Sequence, residues 1–233
     1  SYGEARDAIR DLLLFWSSKE NKLVSLKEYV ERMPASQDKI YYVCGDSVEN
    51  AAKMPQAERV LKAGFEVLYL TVAEDEIVLQ MLENAEGKSF VSVASEDALP
   101  VTDAEKASAE QAEKDHKEVL EFVQETLKEH VSKVRVSTIL QSGSVCLTAE
   151  GPISLEMEKY FHKMRGDYPM KADRVLELNP NASAFQALCA AYQNDKELAA
   201  TYAEVLYNQA LIIADLPLPD PARYAELVCS LMK

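Results

Sequence analysis

Ile40-Tyr41-Tyr42-Val43 and, further on, Phe65-Glu66-Val67-Leu68-Tyr69-Leu70 are the two apolar runs on which the fold turns. Both are β-branched and aromatic, too short for helices, and each closes on a breaker or a polar cluster, so both read as buried strands. The segment between them reads as a helix from near Ser47 to near Gly64. Gly64 can take the left-handed conformation that closes a helix, and Pro55 kinks or splits it. Val60 and Leu61 supply its apolar stripe. Strand, crossover helix and strand make a βαβ unit with parallel strands. Glu74-Asp75-Glu76 then opens a helix carrying Ile77, Val78, Met81 and Leu82, where carboxylates favour the helix dipole.

Working outward, Glu4 to Phe15 reads as a helix with Trp16 just beyond it, and Ser17 to Asn21 as a turn. Ser25-Leu26-Lys27-Glu28 has the spacing of a capping box opening a helix through Met33, which Pro34 stops. Phe90 to Val93, after Gly87, reads as a third strand. The expectation is a three-layer αβα subdomain over residues 1–101, closing near Pro100. From Thr102 to His116 alanine, glutamate and lysine dominate, which predicts an exposed linking helix or hinge over 102–116. Val119, Leu120, Val123, Leu127 and Val131 then follow helical spacing and must pack on something. Residues 117–233 read as an α+β domain. Val134, Val136, Thr138 and Leu140 mark a half-buried strand that Gln141-Ser142-Gly143-Ser144 turns into Val145 to Thr148. Arg174 to Leu178 reads as a further strand, followed by helices over Ser183–Tyr192, Lys196–Ala214 and Pro221–Met232. Asp220 is placed as N-cap of the last, with Pro221 at its first position. The fold class is α/β, with a small sheet and a C-terminal helix bundle in the second domain.

A chain of 233 residues has room for two ordinary domains. Its formal net charge of -14 argues against nucleic acid or an anionic membrane as partner, because phosphates repel such a surface. Cys44, Cys146, Cys189 and Cys229 are far apart with no CxxC pair, which points to neither a zinc site nor a disulfide framework. A reducing cytoplasm fits best. There is no signal peptide and no apolar run of transmembrane length. Ser1 leads directly into a helical segment, so the chain reads as part of something longer.

No catalytic constellation emerges. His116, His130 and His162 fall on helices, and the glycines form no GxG or P-loop arrangement to cradle phosphate. An acidic surface accounts for the carboxylates better than a catalytic pair does. Two stretches stand out. Ile153, Met157, Tyr160, Phe161 and Met164 recur at helical spacing between Gly151-Pro152 and Gly166, a wide face of thioethers and aromatics. Such side chains suit varied partners, although by pattern alone a stripe of this kind is more often core-facing. Leu198, Tyr202, Val205, Leu206, Ala210 and Ile213, with Tyr224, Leu227, Val228, Leu231 and Met232, give more apolar surface than one helical hairpin hides.

Several pieces, in order along almost the whole chain, resemble the ninety-kilodalton heat-shock chaperones of the bacterial HtpG type. They are Leu12 to Phe15, Val24 to Met33, Lys39 to Tyr42, Phe65 to Tyr69, Gly87 to Phe90, Val134 to Ser137, Met157 to Phe161 and Leu176 to Pro180. The resemblance implies the small αβα subdomain of the middle region plus the C-terminal dimerisation domain. It implies that Ile153, Met157, Tyr160 and Phe161 contact unfolded or partly folded clients, with a second client patch at Glu76, Ile77 and Gln80. Where the family often has Trp this chain has Ile77, and Tyr160 replaces an aliphatic residue. Homodimerisation is implied through a four-helix bundle, with Leu206, Ile213, Leu227 and Leu231 at the interface. ATP and Mg belong, on the same resemblance, to an N-terminal ATPase region upstream of residue 1, so no cofactor, catalytic residue or metal is expected here. Two other classes remain open: a small α/β enzyme with a site at the strand ends near Cys44-Gly45-Asp46-Ser47, and a purely structural oligomerisation module.

Overall fold

The computed structural model describes residues 9–72, 74–95, 98–99, 101–164 and 170–232. The chain divides into two compact units, Ser1–Pro100 with Lys159–Tyr168, and Val101–Glu158 with Pro169–Lys233. The helical reading of residues 4–8, the closing Pro100 and the flanking Gly166 lie outside the described residues.

In the first unit, β3 (Lys39–Cys44) and β4 (Val67–Leu70) pair in parallel, as the two apolar runs require. Pro55 splits the crossover into α2 (Val48–Ala51) and α3 (Ala57–Lys62), and Gly64 follows at φ 82°. Gly45, at the end of β3, is obligatory for a different reason: a Cβ there would lie 2.9 Å from the backbone nitrogen of Ala51. Beyond β4, α4 (Asp75–Leu82) leads to β5 (Asn84–Ala85) and β6 (Lys88–Ser92). Glu86 and Gly87, both with positive φ, form the tight turn between those two strands. β6 runs parallel to β3 on the side away from β4.

The N-terminal reading needs a correction. Residues 9 and 10 are helical, but Leu14–Ser17 forms β1, antiparallel both to β2 (Leu23–Ser25) and to β4. Pairing on both edges, with Phe15 buried opposite Val24, overrides the helical look of the leucine run. α1 (Leu26–Arg32) carries the capping box as read, Ser25 and Glu28 each satisfying the other's backbone N–H. The sheet order is β2-β1-β4-β3-β6-β5.

Period-two alternation makes this sheet the middle of three layers. Ile40, Tyr42, Leu68 and Leu70 join Leu26 and Tyr29 of α1 and Leu79 and Leu82 of α4 in one core. Tyr41, Val43, Val67 and Tyr69 join Ala51, Ala57 and Val60 in the other. Tyr29 ties the first core together. Its hydroxyl donates to the Glu66 carbonyl at 2.6 Å and accepts from Gln37 Nε2 at 2.8 Å and Tyr41 N at 3.1 Å. Burial pushes the Tyr29 phenol above its ordinary value of 10.0. A raised folded-state value means that the proton stabilises the fold fully below pH 10 and that this contribution is lost as pH rises further. The stability advantage of the wild type over Tyr29→Phe should therefore shrink above pH 10, which denaturant titrations at several pH values would measure.

The second unit opens with α5 (Asp103–Asp115), which buries no residue, and α6 (Lys117–Thr126). β7 (Lys133–Val136), β8 (Val145–Glu150) and β9 (Asp173–Leu178) form a sheet in the order β7-β9-β8; between the last two in sequence runs α7 (Leu155–Met164), which belongs to this unit only as far as Glu158. The expected turn from one strand straight into its neighbour is thus corrected: β9 inserts between β7 and β8, parallel to one and antiparallel to the other. β7 also stops early, because Ser137 Oγ accepts from the N–H groups of Ile139 and Leu140 and folds the chain into a turn. α8 (Ser183–Asn194), α9 (Lys196–Ile213) and α10 (Pro221–Ser230) close the chain. Val134, Val136, Val145, Leu147, Leu176 and Leu178 pack with α6, α8 and α9 in one core. The other sheet face carries Glu177, Arg135, Thr148 and Cys146. Burial, and then the Glu177 carboxylate, push the Cys146 thiol up.

Candidate functional site

α7 is the helix of the Met and aromatic face. Ser154 Oγ accepts from Met157 N at 3.1 Å near its start. Ile153, Met157, Tyr160 and Phe161 are half-buried, and the rings of Tyr160 and Phe161 meet edge on with centroids 5.9 Å apart. At about 100° per residue, Met157, Tyr160 and Phe161 share one side of the helix. Leu155 and Glu158 lie on the other, with Leu155 against the second unit's core.

On α4, Glu76, Leu79 and Leu82 make the buried face. Glu76 is 5% exposed and accepts from the Tyr42 hydroxyl at 3.1 Å. It therefore belongs to the inside of the first unit rather than to its surface. Ile77 is half-buried and Gln80 exposed. Sequence reading placed Met81 on this helix but outside the client patch; it is 66% exposed, and Val72 is exposed at the helix entry. The signal for Met81 was present, since it lies four residues after Ile77 and so on the same face.

The terminal helices divide in the same way. Leu206 sits in the second unit's core, and Leu227 is the one buried residue of α10. Both are used within the single chain. Ile213 packs partly on the core, while Ile212 is 50% and Met232 76% exposed, with Leu231 half-buried. The Arg223 guanidinium on α10 grips the Glu204 carboxylate on α9 at 3.1–3.2 Å. Asp220 Oδ1 caps α10 through Arg223 N at 2.9 Å. α10 thus rests on buried Leu227 and half-buried Tyr224 and Val228, since an exposed ion pair contributes little.

At the strand ends, Ser47 Oγ accepts from Asn50 N at 3.2 Å and Asp46 Oδ1 accepts from the Asn50 amide. Both are occupied in starting α2. Among the described residues no group of three or more His, Cys, Asp or Glu could hold a metal ion, and no helix is long and apolar enough to cross a membrane.

The features that sequence reading missed altogether are three buried carboxylates, Glu66, Glu158 and Glu177, each gripped by an arginine and the last two only 1% exposed. The available signal was a charge inside an otherwise apolar stripe or strand, which demands a partner.

The family model described as Hsp90 protein matches residues 3–233. The chain is 44% identical over 231 residues to the chaperone protein HtpG of Bacillus subtilis, covering 99% of this chain and 37% of that one. It is 46% identical to the HtpG of Oceanobacillus iheyensis over the same shares, and 44% identical to that of Clostridium botulinum across all of this chain and 37% of the relative. The chain thus spans little more than a third of the length of these curated relatives. With a family model matched almost end to end, and relatives 44–46% identical across nearly the whole chain, the chain belongs to the Hsp90 family of chaperones.

Proposed function

We propose that these residues serve an ATP-dependent chaperone by pairing two protomers and by holding unfolded or partly folded client proteins. The reading rests on the apolar surface that remains after each unit has closed its own core. α10 buries only Leu227, and Ile212 and Met232 stay open. Two copies packing α9 and α10 into a four-helix bundle bury that remainder isologously. Met157, Tyr160 and Phe161 then form the client ridge, joined by Ile153. Ile77, Gln80 and Met81 form a second patch, beneath which Glu76 acts as internal support. In domain terms, residues 1–101 are the small middle subdomain, 102–116 a linking helix and 117–233 the dimerisation domain. Turnover of ATP with Mg is assigned to other regions of the full-length family protein, and no catalytic residue is assigned here. The four free thiols accord with the cytoplasm as the working compartment.

Two measurements test this reading. At low micromolar concentration, light scattering should report twice the 26.0 kDa chain mass. In an assay of an aggregating client, the chain should suppress scattering, and Met157→Ser with Phe161→Ser should remove most of that suppression while leaving the mass unchanged. Suppression that survives the double substitution rejects the ridge, and a single-chain mass rejects the bundle.

A further inference from the structure

Glu158 is a carboxylate with almost no exposure, in the middle of the helix that carries the ridge. Arg174 Nη2 donates to its Oε1 at 2.6 Å and Arg174 Nε to its Oε2 at 3.4 Å. The backbone N–H of Ala172 donates to Oε2 at 3.1 Å. The same guanidinium uses Nη1 to donate to the Tyr207 hydroxyl at 2.8 Å, and the Tyr207 ring stacks on His130 with centroids 5.2 Å apart. Glu158, Ala172, Arg174, Tyr207 and His130 all belong to the second unit. One arginine on β9 therefore joins α7, through a two-pronged grip, to α9, the long helix of the terminal pair.

We propose that Glu158 is a positioning residue: its clasp by Arg174 and Ala172 N–H sets the rotation of α7 about its own axis, and so decides which side chains form the client ridge. This rests on the client-binding reading above. The geometry is specific. Met157, Tyr160 and Phe161 lie roughly 60–160° around the helix from Glu158, at about 100° per residue. A slip of one residue would carry the carboxylate out of its fork and turn the ridge away together. Fork geometry with an extra N–H fixes direction as well as distance, which the apolar contact of Leu155 alone does not. Because Arg174 also holds Tyr207, the clasped start of α7 is tied to α9 as well as to β9.

The test uses the full chain and amide hydrogen exchange read by mass spectrometry. Glu158→Gln keeps the size of the side chain and removes the charge that the fork requires. Peptides covering 155–164 should then exchange at least about tenfold faster, the equivalent of about 1.4 kcal/mol of local stability, while peptides from β3 and β4 keep wild-type rates. The charge-swapped pair, Glu158→Arg with Arg174→Glu, should restore part of the protection. Tyr207→Phe keeps the ring and removes one acceptor of Arg174, and should give a smaller acceleration in 155–164. Client suppression should fall with the protection and return with the swap. Unchanged exchange in Glu158→Gln, or acceleration spread evenly over α8 and α9 without rescue by the swap, overturns the proposal. The two readings fail separately. If Met157→Ser with Phe161→Ser leaves suppression intact, client binding falls while the exchange result stands. If exchange does not respond to Glu158→Gln, the clasp falls and client binding survives.

Discussion

Glu177→Ala is expected to unfold the second unit at a much lower denaturant concentration than the wild type while leaving the first unit's transition in place. Glu177 stands on β9, the central strand, with both oxygens committed. Oε1 accepts from Arg135 Nη2 at 2.6 Å, Arg135 Nε at 3.1 Å and Thr148 Oγ1 at 3.0 Å, and Oε2 accepts from Ser137 Oγ at 2.7 Å. The carboxylate thus stitches β7 and β8 to the strand between them. Removing it takes the short carboxylate contacts from a largely buried guanidinium, which keeps a longer one to Glu150 at 3.6 Å, and the acceptor from two hydroxyls; breaking a buried pair by deleting one partner costs about 3–5 kcal/mol. That is a large share of the roughly 5–15 kcal/mol by which a domain is stable. Trp16, the single tryptophan, lies in the first unit, so its fluorescence follows that unit while circular dichroism follows both. A dichroism midpoint equal to the wild type's would show that the network contributes nothing net. Glu125→Ala is the control, since Glu125 pairs with Lys128 at the surface, away from Arg135, and should cost less than about 1 kcal/mol.

Ile212→Glu is expected to convert the proposed dimer into folded single chains. Half of Ile212 is exposed in the isolated chain, so a carboxylate is tolerated there without disturbing the core. In an isologous bundle, however, each substitution appears twice, and an unpaired charge buried at an interface costs about 2–5 kcal/mol or more at each appearance. The dissociation constant should rise by at least about a thousandfold. Light scattering and denaturant titration on the same sample separate the outcomes. A halved mass with an unchanged midpoint supports the bundle, whereas an unchanged mass places the contact elsewhere. Leu206→Glu is not an equivalent probe, because Leu206 is part of the chain's own core.

How much could be read beforehand varied with the range of the interactions involved. The Ser25/Glu28 capping box, the split at Pro55, the left-handed Gly64 and the Asp220-Pro221 start all stand where residue chemistry placed them. The two apolar runs pair in parallel as the crossover demanded. Leu14 to Ser17 went the other way, because an apolar run of that length serves either structure until strands on both sides claim it. On α9 the sequence marks an apolar stripe but not how the helix is turned. Ile213 rests partly on the core and Ile212 faces out, since the local twist and packing of α9 set its rotation.

What the amino-acid order determined by itself is therefore the local and periodic part: helix starts and stops, the alternation that puts cores on both faces of one sheet, and the membership of the family. Those signals act between residues a few positions apart, or repeat regularly enough to be counted. Tertiary structure alone decided that β9 lies between β7 and β8, that Glu76 and Leu206 turn inward, and that Glu158 and Glu177 are enclosed by arginines from distant strands. Each of those outcomes depends on which segments become neighbours in space. A carboxylate in sequence looks the same whether water or a guanidinium will surround it, and only the assembled core removes the water.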